Sequence, residues 1–378
     1  MQFSVKNIIL HISLIDGIGP ATIWYLIRSQ STKWQWDDLY NFSVQDWVYL
    51  IGLKQHVAEK IVVGLKDREQ LDQELYYIAK YKVNLLSGID EEYPLLLAEI
   101  HLPPPILYWQ GDVKKDEKNI AVIGSRNANY YGERVISKII PDLIAQNVTI
   151  VSGGALGADS MAHTAALANN GKTIAILGSG LMHYYPRSNQ RLFDEILASG
   201  GAIVSSFAMN MQPKPGNFPA RNRIIAGMSY GCIVVQAAKK SGARITAQYA
   251  LDQGREVFAI PGPIDDQLSI GCHELIKEGA TLINSADDIR QELAWIYTDQ
   301  GKEKNKQVEN KQQEEKQDLA EKETSIQLQL IKFCTTPQSM DELLQQTVLN
   351  LSELQQELIN LQLMGKIQQD FTGRWLVL

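Results

Sequence analysis

The feature that most constrains this fold is an alternation of short β-branched runs with helical stretches, which starts near Val83. Alternation of this kind is typical of βαβ units, which build a parallel sheet with helices on both faces. We therefore predict an α/β fold with an extended Rossmann-like, doubly wound parallel sheet. The predicted strands are Ile120–Gly124, Thr149–Ser152, Thr173–Leu177, Ala202–Ser205, Cys232–Val235 and Glu256–Ile260. The predicted helices lie near residues 130–146, 157–170, 188–199, 218–229 and 244–253.

Length and composition indicate two or three globular domains, since the chain has 378 residues, of which 45% are hydrophobic. The formal net charge of −7 excludes a broad basic field, so any nucleic-acid site must be local. The three cysteines are far apart and form no CxxC pair, which argues against a disulfide scaffold or a zinc site. No apolar run is long enough to span a membrane, and we expect a cytoplasmic protein with no membrane partner.

Helical patterns flank the predicted sheet domain, which we place at residues 81–298. In residues 1–80, Gly17-Ile18-Gly19-Pro20 and Gly52-Leu53-Lys54 share the outline of a helix-hairpin-helix (SAM-like) pair. Such glycines expose backbone amides to phosphate, but a helical bundle that only packs explains the pattern equally well. Residues 299–323 are almost wholly charged or amide residues and predict a solvated linker.

The last segment, residues 324–378, has the outline of a winged helix, because three helical patterns precede a strand pair. The helical patterns are Ile326–Cys334, Ser339–Gln345 and Ser352–Met364, and the strands are Lys366–Gln368 and Arg374–Leu378. The helix at Ser352–Met364 carries Glu353 and Glu357, so we expect it to repel phosphates and to serve protein contact instead.

Small or glycine-rich loops follow five of the predicted strands. In a parallel sheet these loops meet at one edge, where backbone amides and helix N-termini favour phosphate oxygens. We therefore expect an anion-binding rim. Its loops are Gly124-Ser125-Arg126, Ser152–Gly157, Gly178-Ser179-Gly180, Ser205-Ser206 and Ser241-Gly242-Ala243-Arg244.

Arginines are predicted to supply the charge of this rim, because guanidinium groups grip phosphates and stack on bases. The candidates are Arg126, Arg187, Arg221 and Arg223. A structural alternative stays open for Arg126 and Arg223, each of which could cap helix carbonyls or pair with Asp159.

Motifs that resemble catalytic sites fail on their context. Gly227-Met228-Ser229-Tyr230-Gly231 matches GxSxG, but it follows a helix and precedes a strand, the reverse of a nucleophile elbow. Gly171-Lys172-Thr173 ends like a P-loop but leads into a strand. Asp159 and His163 lie four apart on one helix face without a third ligand, which favours structural roles over an acid/base pair or a metal site.

Five ordered motifs together resemble the DNA-processing protein A family, also called Smf, and the resemblance spans the whole chain. The motifs are Gly124-Ser125-Arg126, Ser152–Asp159, Leu177–Gly180 with Tyr185-Pro186, Phe218–Gly227 and Gln253–Gly262. One departure is Ala243-Arg244, where a serine and an apolar residue would be expected after Ser241-Gly242.

The resemblance implies single-stranded DNA binding, a homodimer formed through the Rossmann-like domain, and delivery of the RecA recombinase during natural transformation. It implies no enzymatic activity and no cofactor. We expect dimer contacts at Tyr249, Leu275 and Ile276, although burial in the monomer core would explain these residues nearly as well. The expected DNA-binding residues are Gly124, Ser125, Arg126, Ser152, Gly153, Gly154, Arg187, Asn189, Arg221, Asn222, Arg223, Ser241 and Thr246.

Two other functions remain open at this point. The same Rossmann variant resembles phosphoribohydrolases that act on nucleotide-like substrates, but the catalytic acid expected in such enzymes is absent from residues 241–247. A nucleotide-sensing regulator that places its winged helix on duplex DNA is the other alternative.

Overall fold

The computed structural model describes residues 4–30, 34–294, 329–347, 349–363, 366–370 and 373–377. The chain divides into two compact units, with the boundary at residues 297 and 298. The predicted linker at 299–323 lies outside the described residues, and so does the start of the helix predicted from Ile326. A domain boundary near residue 80 stays a prediction.

The first unit begins with helices that precede the sheet. They are α1 (Val5–Leu14), α2 (Pro20–Ser29), α3 (Val44–Asp46), α4 (Gln55–Gly64) and α5 (Glu69–Lys80), with a 3₁₀ turn at Trp36–Tyr40 and a π turn at Trp47–Ile51. Gly52 ends the π turn with a φ of 89°, a left-handed conformation that favours glycine. Apolar side chains of these helices, including Ile8, Ile23 and Trp47, are fully or almost fully buried.

A nine-stranded sheet forms the centre of the first unit, in the order β1-β2-β6-β5-β4-β3-β7-β8-β9. The strands are β1 (Asn84–Ser87), β2 (Ile106–Gly111), β3 (Asn119–Ile123), β4 (Thr149–Ser152), β5 (Thr173–Leu177), β6 (Ala202–Ser205), β7 (Gly231–Val234), β8 (Glu256–Ala259) and β9 (Thr281–Leu282). From β6 to β9 all pairs are parallel, whereas β1 and β2 extend the sheet in antiparallel pairing. The mostly parallel α/β sheet is confirmed, and β1, β2 and β9 are additions to the predicted strands.

Helices connect the strands as the doubly wound pattern requires. They are α6 (Leu95–Ala98), α7 (Tyr130–Ala145), α8 (Ala158–Ala168), α9 (Gln190–Ala198), α10 (Asn217–Gly227), α11 (Gly242–Asp252), α12 (Ile270–Lys277) and α13 (Ala286–Glu292). The chain turns back at β3, since β4 lies on one side of it and β7 on the other. The loops after β3 and β7 therefore flank the switch point, where ligands of such sheets bind.

Alternate side chains of each central strand point to opposite faces of the sheet, and both faces are buried. In β5, Ile174 and Ile176 pack in the same cluster as Ile224 of α10, whereas Leu177 packs with Phe193 of α9 and with the N-terminal helices. This period of two is the burial pattern expected of a strand covered on both faces. Within the described residues no helix is long and apolar enough to cross a membrane.

The N-terminal helices are joined to the sheet domain by polar contacts as well as by apolar packing. Glu74 of α5 is 5% exposed and accepts a hydrogen bond from the Met209 amide at 2.7 Å. The indole nitrogen of Trp24 donates to the Pro103 carbonyl at 2.6 Å. Burial raises the pKa of Glu74, while its hydrogen bonds from Met209 and Tyr108 lower that pKa in part. Met209 belongs to the loop between β6 and α10 that borders the candidate site.

The second unit contains a helical segment at 329–333, α14 (Met340–Gln346), α15 (Leu351–Leu363) and a hairpin of β10 (Ile367–Gln369) with β11 (Trp375–Val377). Its core contains Leu330, Leu343, Leu354, Leu358 and Trp375, among others. The described order agrees with the predicted helices and strand pair, and the winged-helix assignment stays a prediction.

The burial of Glu74 predicts how the free energy of unfolding depends on pH. Its pKa is raised in the folded state above the ordinary 4.5, so the wild-type protein should lose stability as pH rises from about 4.5 through the folded pKa. Glu74→Gln keeps an acceptor for Met209 without a charge, and it should melt higher than wild type at pH 8 but not at pH 5. Glu74→Ala should lose about 1–3 kcal/mol, because the Met209 amide is left unpaired. Thermal melting across this pH range tests both variants, and a Glu74→Gln protein that melts lower at pH 8 would contradict the argument.

Candidate nucleic-acid interface

The loop after β3 is fixed to the loops on both sides of it. The Ser125 amide donates to the Gln236 carbonyl at 2.7 Å, and the Ala158 amide donates to the Ser125 carbonyl at 3.1 Å. Gly157 has a φ of 75°, and a Cβ there would lie within 3 Å of the Ser125 and Arg126 carbonyls. The loops after β3, β4 and β7 therefore form one surface, from which the Arg126 side chain is exposed.

Beneath this surface, Gly153 lies between two buried charges. The Gly153 amide donates to the carboxylate of Asp159 at 3.1 Å, and its carbonyl accepts from Arg221 Nη1. Arg221 also donates to the Ile176 carbonyl at 2.6 Å, which ties α10 to the end of β5. A Cβ on Gly153 would lie under 3 Å from both charged side chains, so only glycine fits there.

Burial and mutual attraction set the protonation of these groups. Burial raises the pKa of Asp159, and the Arg221 charge together with the loop amides offsets part of that rise. Burial lowers the pKa of Arg221 to about 10, so its guanidinium stays charged at neutral pH. His163 is neutral because burial lowers its pKa to about 3, and its Nδ1 lies 2.7 Å from Thr173 Oγ1. Asp159 and His163 therefore serve structure.

One aromatic ring, that of Phe218, contacts both the exposed cation and the buried one. The Arg126 guanidinium lies 5.3 Å from the ring centroid of Phe218, and the Arg221 guanidinium lies 5.8 Å from the same centroid. The Tyr185 ring is 5.7 Å from Phe218 at an interplanar angle of 47°. Tyr185 precedes Pro186 through a cis peptide bond and is 44% exposed. A cation–π pair of this kind orients Arg126 without neutralising its charge.

Two adjoining cavities share Tyr185, and we call them together the rim groove. The smaller cavity, about 50 Å³, is lined by Arg126, Gly153 and Phe218 among others. The larger, about 350 Å³, is lined by Arg187, His183 and Gln212 among others. Arg126 and Arg187 thus lie in different parts of one groove, with Tyr185 between the parts.

The charge of the rim groove is uncompensated. Neither cavity is lined by an aspartate or a glutamate. Among the described residues, neither Arg126 nor Arg187 forms an ion pair with a carboxylate. No group of three metal-binding side chains occurs in the part of the chain that the structure describes. The groove combines free guanidinium groups with aromatic rings, an arrangement suited to phosphates and bases.

Several expected site residues line the rim groove, and others are buried beneath it and hold its loops in place. Asn189 donates to the Gly154 carbonyl at 2.9 Å and so holds the loop after β4. Ser152 is buried and donates to the Val122 carbonyl at 2.6 Å, which corrects its expected place on the rim. Arg221 is only 4% exposed, so it supports the groove from below instead of projecting from the rim.

The remaining expected residues of α10 and α11 lie apart from the exposed part of the groove. Arg223 donates to the carbonyls of His101 and Leu102, on a different side of α10 from Arg221. The Asn222 side chain accepts from Arg221 Nε at 3.1 Å. Thr246 is buried and bonds to the Gly242 carbonyl, and Ser241 is half-buried where α11 begins. Arg223 and Thr246 therefore are not rim groups.

Of the expected dimer contacts, Leu275 lies in the core of the first unit, and the dimer face itself stays a prediction. Leu275 is only 3% exposed because it packs in the apolar cluster between the sheet, α11 and α12. Tyr249 and Ile276 are partly buried against the same cluster. Arg244 is bound to Glu274 and Glu278 of α12, so this departure from the family motif ties two helices together. Leu275 cannot present its side chain to a partner without unpacking this core.

Sequence reasoning missed the aromatic lining of the groove. Phe218 and Tyr185 belong to the quoted motifs, yet their rings were not assigned to the site. His183 and Gln212 were missed as well; Gln212 Nε2 lies 2.9 Å from His183 Nε2. A signal was available for both rings, because Tyr185 and Phe218 each stand beside a proline within motifs that follow strands of the sheet.

Comparison with known proteins agrees with this geometry. The family model of DNA recombination-mediator protein A matches residues 84–294, which contain the whole sheet and every loop of the rim groove. The chain belongs to this family. Protein Smf from Synechocystis is 35% identical over 95% of this chain and 95% of its own length. DNA processing protein DprA from Streptococcus pneumoniae is 46% identical over 55% of this chain and 73% of its own length.

Two solved structures of the family resemble this one. The X-ray structure of DprA from Streptococcus pneumoniae is 37% identical with a TM-score of 0.59 and covers 73% of this chain and 98% of its own. A structure of DNA processing protein A from Helicobacter pylori, which concerns that protein's single-stranded DNA binding mode, is 30% identical with a TM-score of 0.52. It covers 57% of this chain and 98% of its own.

The two arginines beside Phe218 should respond differently to removal. Arg221→Ala leaves the buried Asp159 unpaired and two carbonyls without their donor, so it should cost about 3–5 kcal/mol of unfolding free energy. Arg126→Ala removes an exposed side chain whose described contact is the Phe218 ring, and it should change that free energy by less than about 1 kcal/mol. Urea denaturation of both variants, followed by circular dichroism, measures the difference. Equal stabilities would mean that Arg221 does not support the loop after β4.

Proposed function

We propose that this chain binds single-stranded DNA in the rim groove and acts as a recombination mediator, which protects incoming DNA and loads RecA during natural transformation. The observation that carries the strand-binding proposal is the pair of guanidinium groups without a carboxylate partner, Arg126 and Arg187, in one groove with the rings of Phe218 and Tyr185. Membership of the DNA recombination-mediator protein A family supports the mediator role.

The chemistry of the groove favours a strand over a duplex. Exposed rings can stack only on bases that are not already stacked in a double helix, and every base has a face that can stack. Guanidinium groups and loop amides bind phosphates regardless of sequence. We therefore expect binding that is non-specific in sequence and that weakens steeply with salt, by a slope of about −0.7 for each phosphate contact.

Binding without catalysis fits this groove better than a phosphoribohydrolase does. A hydrolase needs a carboxylate near the reacting atom, and neither part of the groove is lined by one. Asp159 is buried and occupied by the amides of Gly153 and Ala155. A nucleotide-sensing regulator is the remaining alternative, and free nucleotides as competitors distinguish it from a strand-binding protein.

We further propose that the first unit alone forms a homodimer in the cytoplasm and that the second unit contacts protein. Ile245 is 46% exposed and lies one turn from the partly buried Tyr249 on α11, which gives this face an apolar surface for a second copy. In the second unit, Glu353 of α15 is exposed and no lysine or arginine lies within that helix. An acidic helix of this kind is unsuited to phosphates.

Arg126→Glu is the sharpest test of the rim groove. Reversing this charge should weaken oligo-dT binding at least a hundredfold at ~150 mM salt, because the phosphate then meets a carboxylate where it needs a guanidinium. Lys114→Glu is the matched control, since Lys114 is exposed at the opposite edge of the sheet. Fluorescence anisotropy measures the affinity of each protein for labelled oligo-dT and duplex DNA, and free nucleotides are added as competitors. A folded Arg126→Glu protein with normal affinity would refute the groove as the DNA site.

A chain truncated after residue 298 should keep both strand binding and self-association. We expect its oligo-dT affinity to stay within a few-fold of the full chain, because the groove lies wholly in the first unit. Light scattering should give the mass of a dimer, and Ile245→Glu with Tyr249→Glu should give a folded monomer. A hundredfold loss of affinity would place strand binding in the second unit, and a monomeric truncated chain would place self-association there.

A further inference from the structure

A second groove runs beside α7, separate from the rim groove. Its volume is about 360 Å³, and we call it the α7 groove. One wall is formed by α7 and includes Tyr131, Arg134 and Lys138. The other wall is formed by residues that end β8 and follow β9, including Ile260 and Asn284. It shares no lining residue with the rim groove.

The lining of the α7 groove suits a nucleic-acid strand. Arg134 and Lys138 are exposed cations, and the Arg134 guanidinium lies 5.6 Å from the ring centroid of Tyr131. The Tyr131 hydroxyl donates to the Pro261 carbonyl, which fixes the ring in the wall. Lys138 Nζ donates to the Asn284 carbonyl at 3.3 Å. Apolar side chains complete the walls and offer a surface to bases.

Acidic groups do not neutralise these cations within the groove. No aspartate or glutamate lines it. The Asp288 carboxylate interacts with Lys138 electrostatically, but it accepts hydrogen bonds from the amides of Asn284 and Ser285 at 2.7 and 3.0 Å. Among the described residues, neither Arg134 nor Lys138 forms an ion pair within 4.0 Å. Positive charge is therefore available to an anionic ligand.

The two grooves are joined through the start of α7. Arg126 lines the rim groove, and α7 begins four residues later, with Asn129 accepting hydrogen bonds from the Tyr131 and Gly132 amides at its N-terminus. Tyr130 is the first helical residue and is 75% exposed. Tyr130, Arg134 and Lys138 are spaced by four residues, so they lie on one face of α7 with a rise of about 6 Å between neighbours.

We propose that the α7 groove takes the onward segment of a single strand whose first nucleotides occupy the rim groove. The proposal rests on the proposed function, because the strand has to be bound at Arg126 first. Tyr130 then offers a stacking surface at the junction, and Arg134 and Lys138 bind successive phosphates along α7. The site size of one protomer is consequently longer than the rim groove alone, and long strands gain affinity that short ones do not.

Oligo-dT of graded length tests the proposal with the full chain. Arg134→Ala with Lys138→Ala should weaken binding of a strand of about twenty nucleotides roughly tenfold and should reduce the salt slope by about 1.4, since two phosphate contacts are lost. A strand of about six nucleotides, which fills the rim groove only, should bind this variant as it binds wild type. Lys114→Ala with Lys115→Ala removes the same charge at the opposite edge of the sheet and should change neither affinity.

The outcomes separate this proposal from the proposed function. If wild type binds both strand lengths and the variant with Arg134→Ala and Lys138→Ala binds each length equally well, the α7 groove does not bind the strand. The proposal that the rim groove binds DNA would then remain. Equal losses for short and long strands would show a general charge effect and would also overturn the proposal for the α7 groove. If wild type bound no strand of either length, the proposed function itself would fall.

Cross-linking provides a second measurement that does not depend on a variant. Long strands that carry 5-iodo-deoxyuridine at single positions are irradiated with the full chain, and the attached peptides are identified by mass spectrometry. Positions near one end should link to the rim groove, and positions further along should link to Tyr130 or Tyr131. Links at every position to the rim groove alone would refute the onward path.

Discussion

The candidate site depends on the buried pair of Asp159 and Arg221, which enclose Gly153 from two sides. Each charge is far from water, and each is satisfied by backbone groups of the loop after β4 as well as by the other charge. Removing either partner would leave the other buried and uncompensated, which is why such pairs hold a geometry firmly even where they add little net stability. The loop that forms the floor of the rim groove is therefore held in place by buried hydrogen bonds from both charges.

The electrostatic problem for this chain is to attract an anion despite a net charge of −7. Some of its cations are paired with neighbouring carboxylates, as Arg244, Lys172 and Arg255 are. Arg126 forms no ion pair with a carboxylate among the described residues. Its guanidinium lies instead beside the ring of Phe218, whose quadrupole orients it. Positive charge is thus concentrated in the rim groove, where loop amides and aromatic rings are also present. This local positive charge can attract an anion although the net charge of the chain is negative.

Much of the fold could be predicted because strand and helix periodicities are local properties of the sequence. The strand Thr173–Leu177 and the helix at Ala158–Ala168 were found within two residues, since burial on both faces or on one face leaves a clear pattern. The antiparallel strand Ile106–Gly111 was missed, because its place depends on pairing with β6 almost a hundred residues away. The burial of Arg221 was missed for a similar reason, since the sequence of one helix does not reveal which of its charged side chains faces the sheet. Arg126 and Arg187 line the groove where the sequence predicts a rim, because both lie in loops that follow strands of the parallel sheet.

The contact between Glu74 and Met209 has a consequence for how this molecule can be divided. The family model begins at residue 84, after the N-terminal helices have ended. A fragment cut there would expose the Met209 amide, the Pro103 carbonyl that Trp24 satisfies, and the apolar side of Tyr108 and Phe193 that those helices cover. In this chain the N-terminal helices therefore cover part of the sheet's apolar surface and satisfy two of its backbone groups, although they lie outside the residues that match the family model.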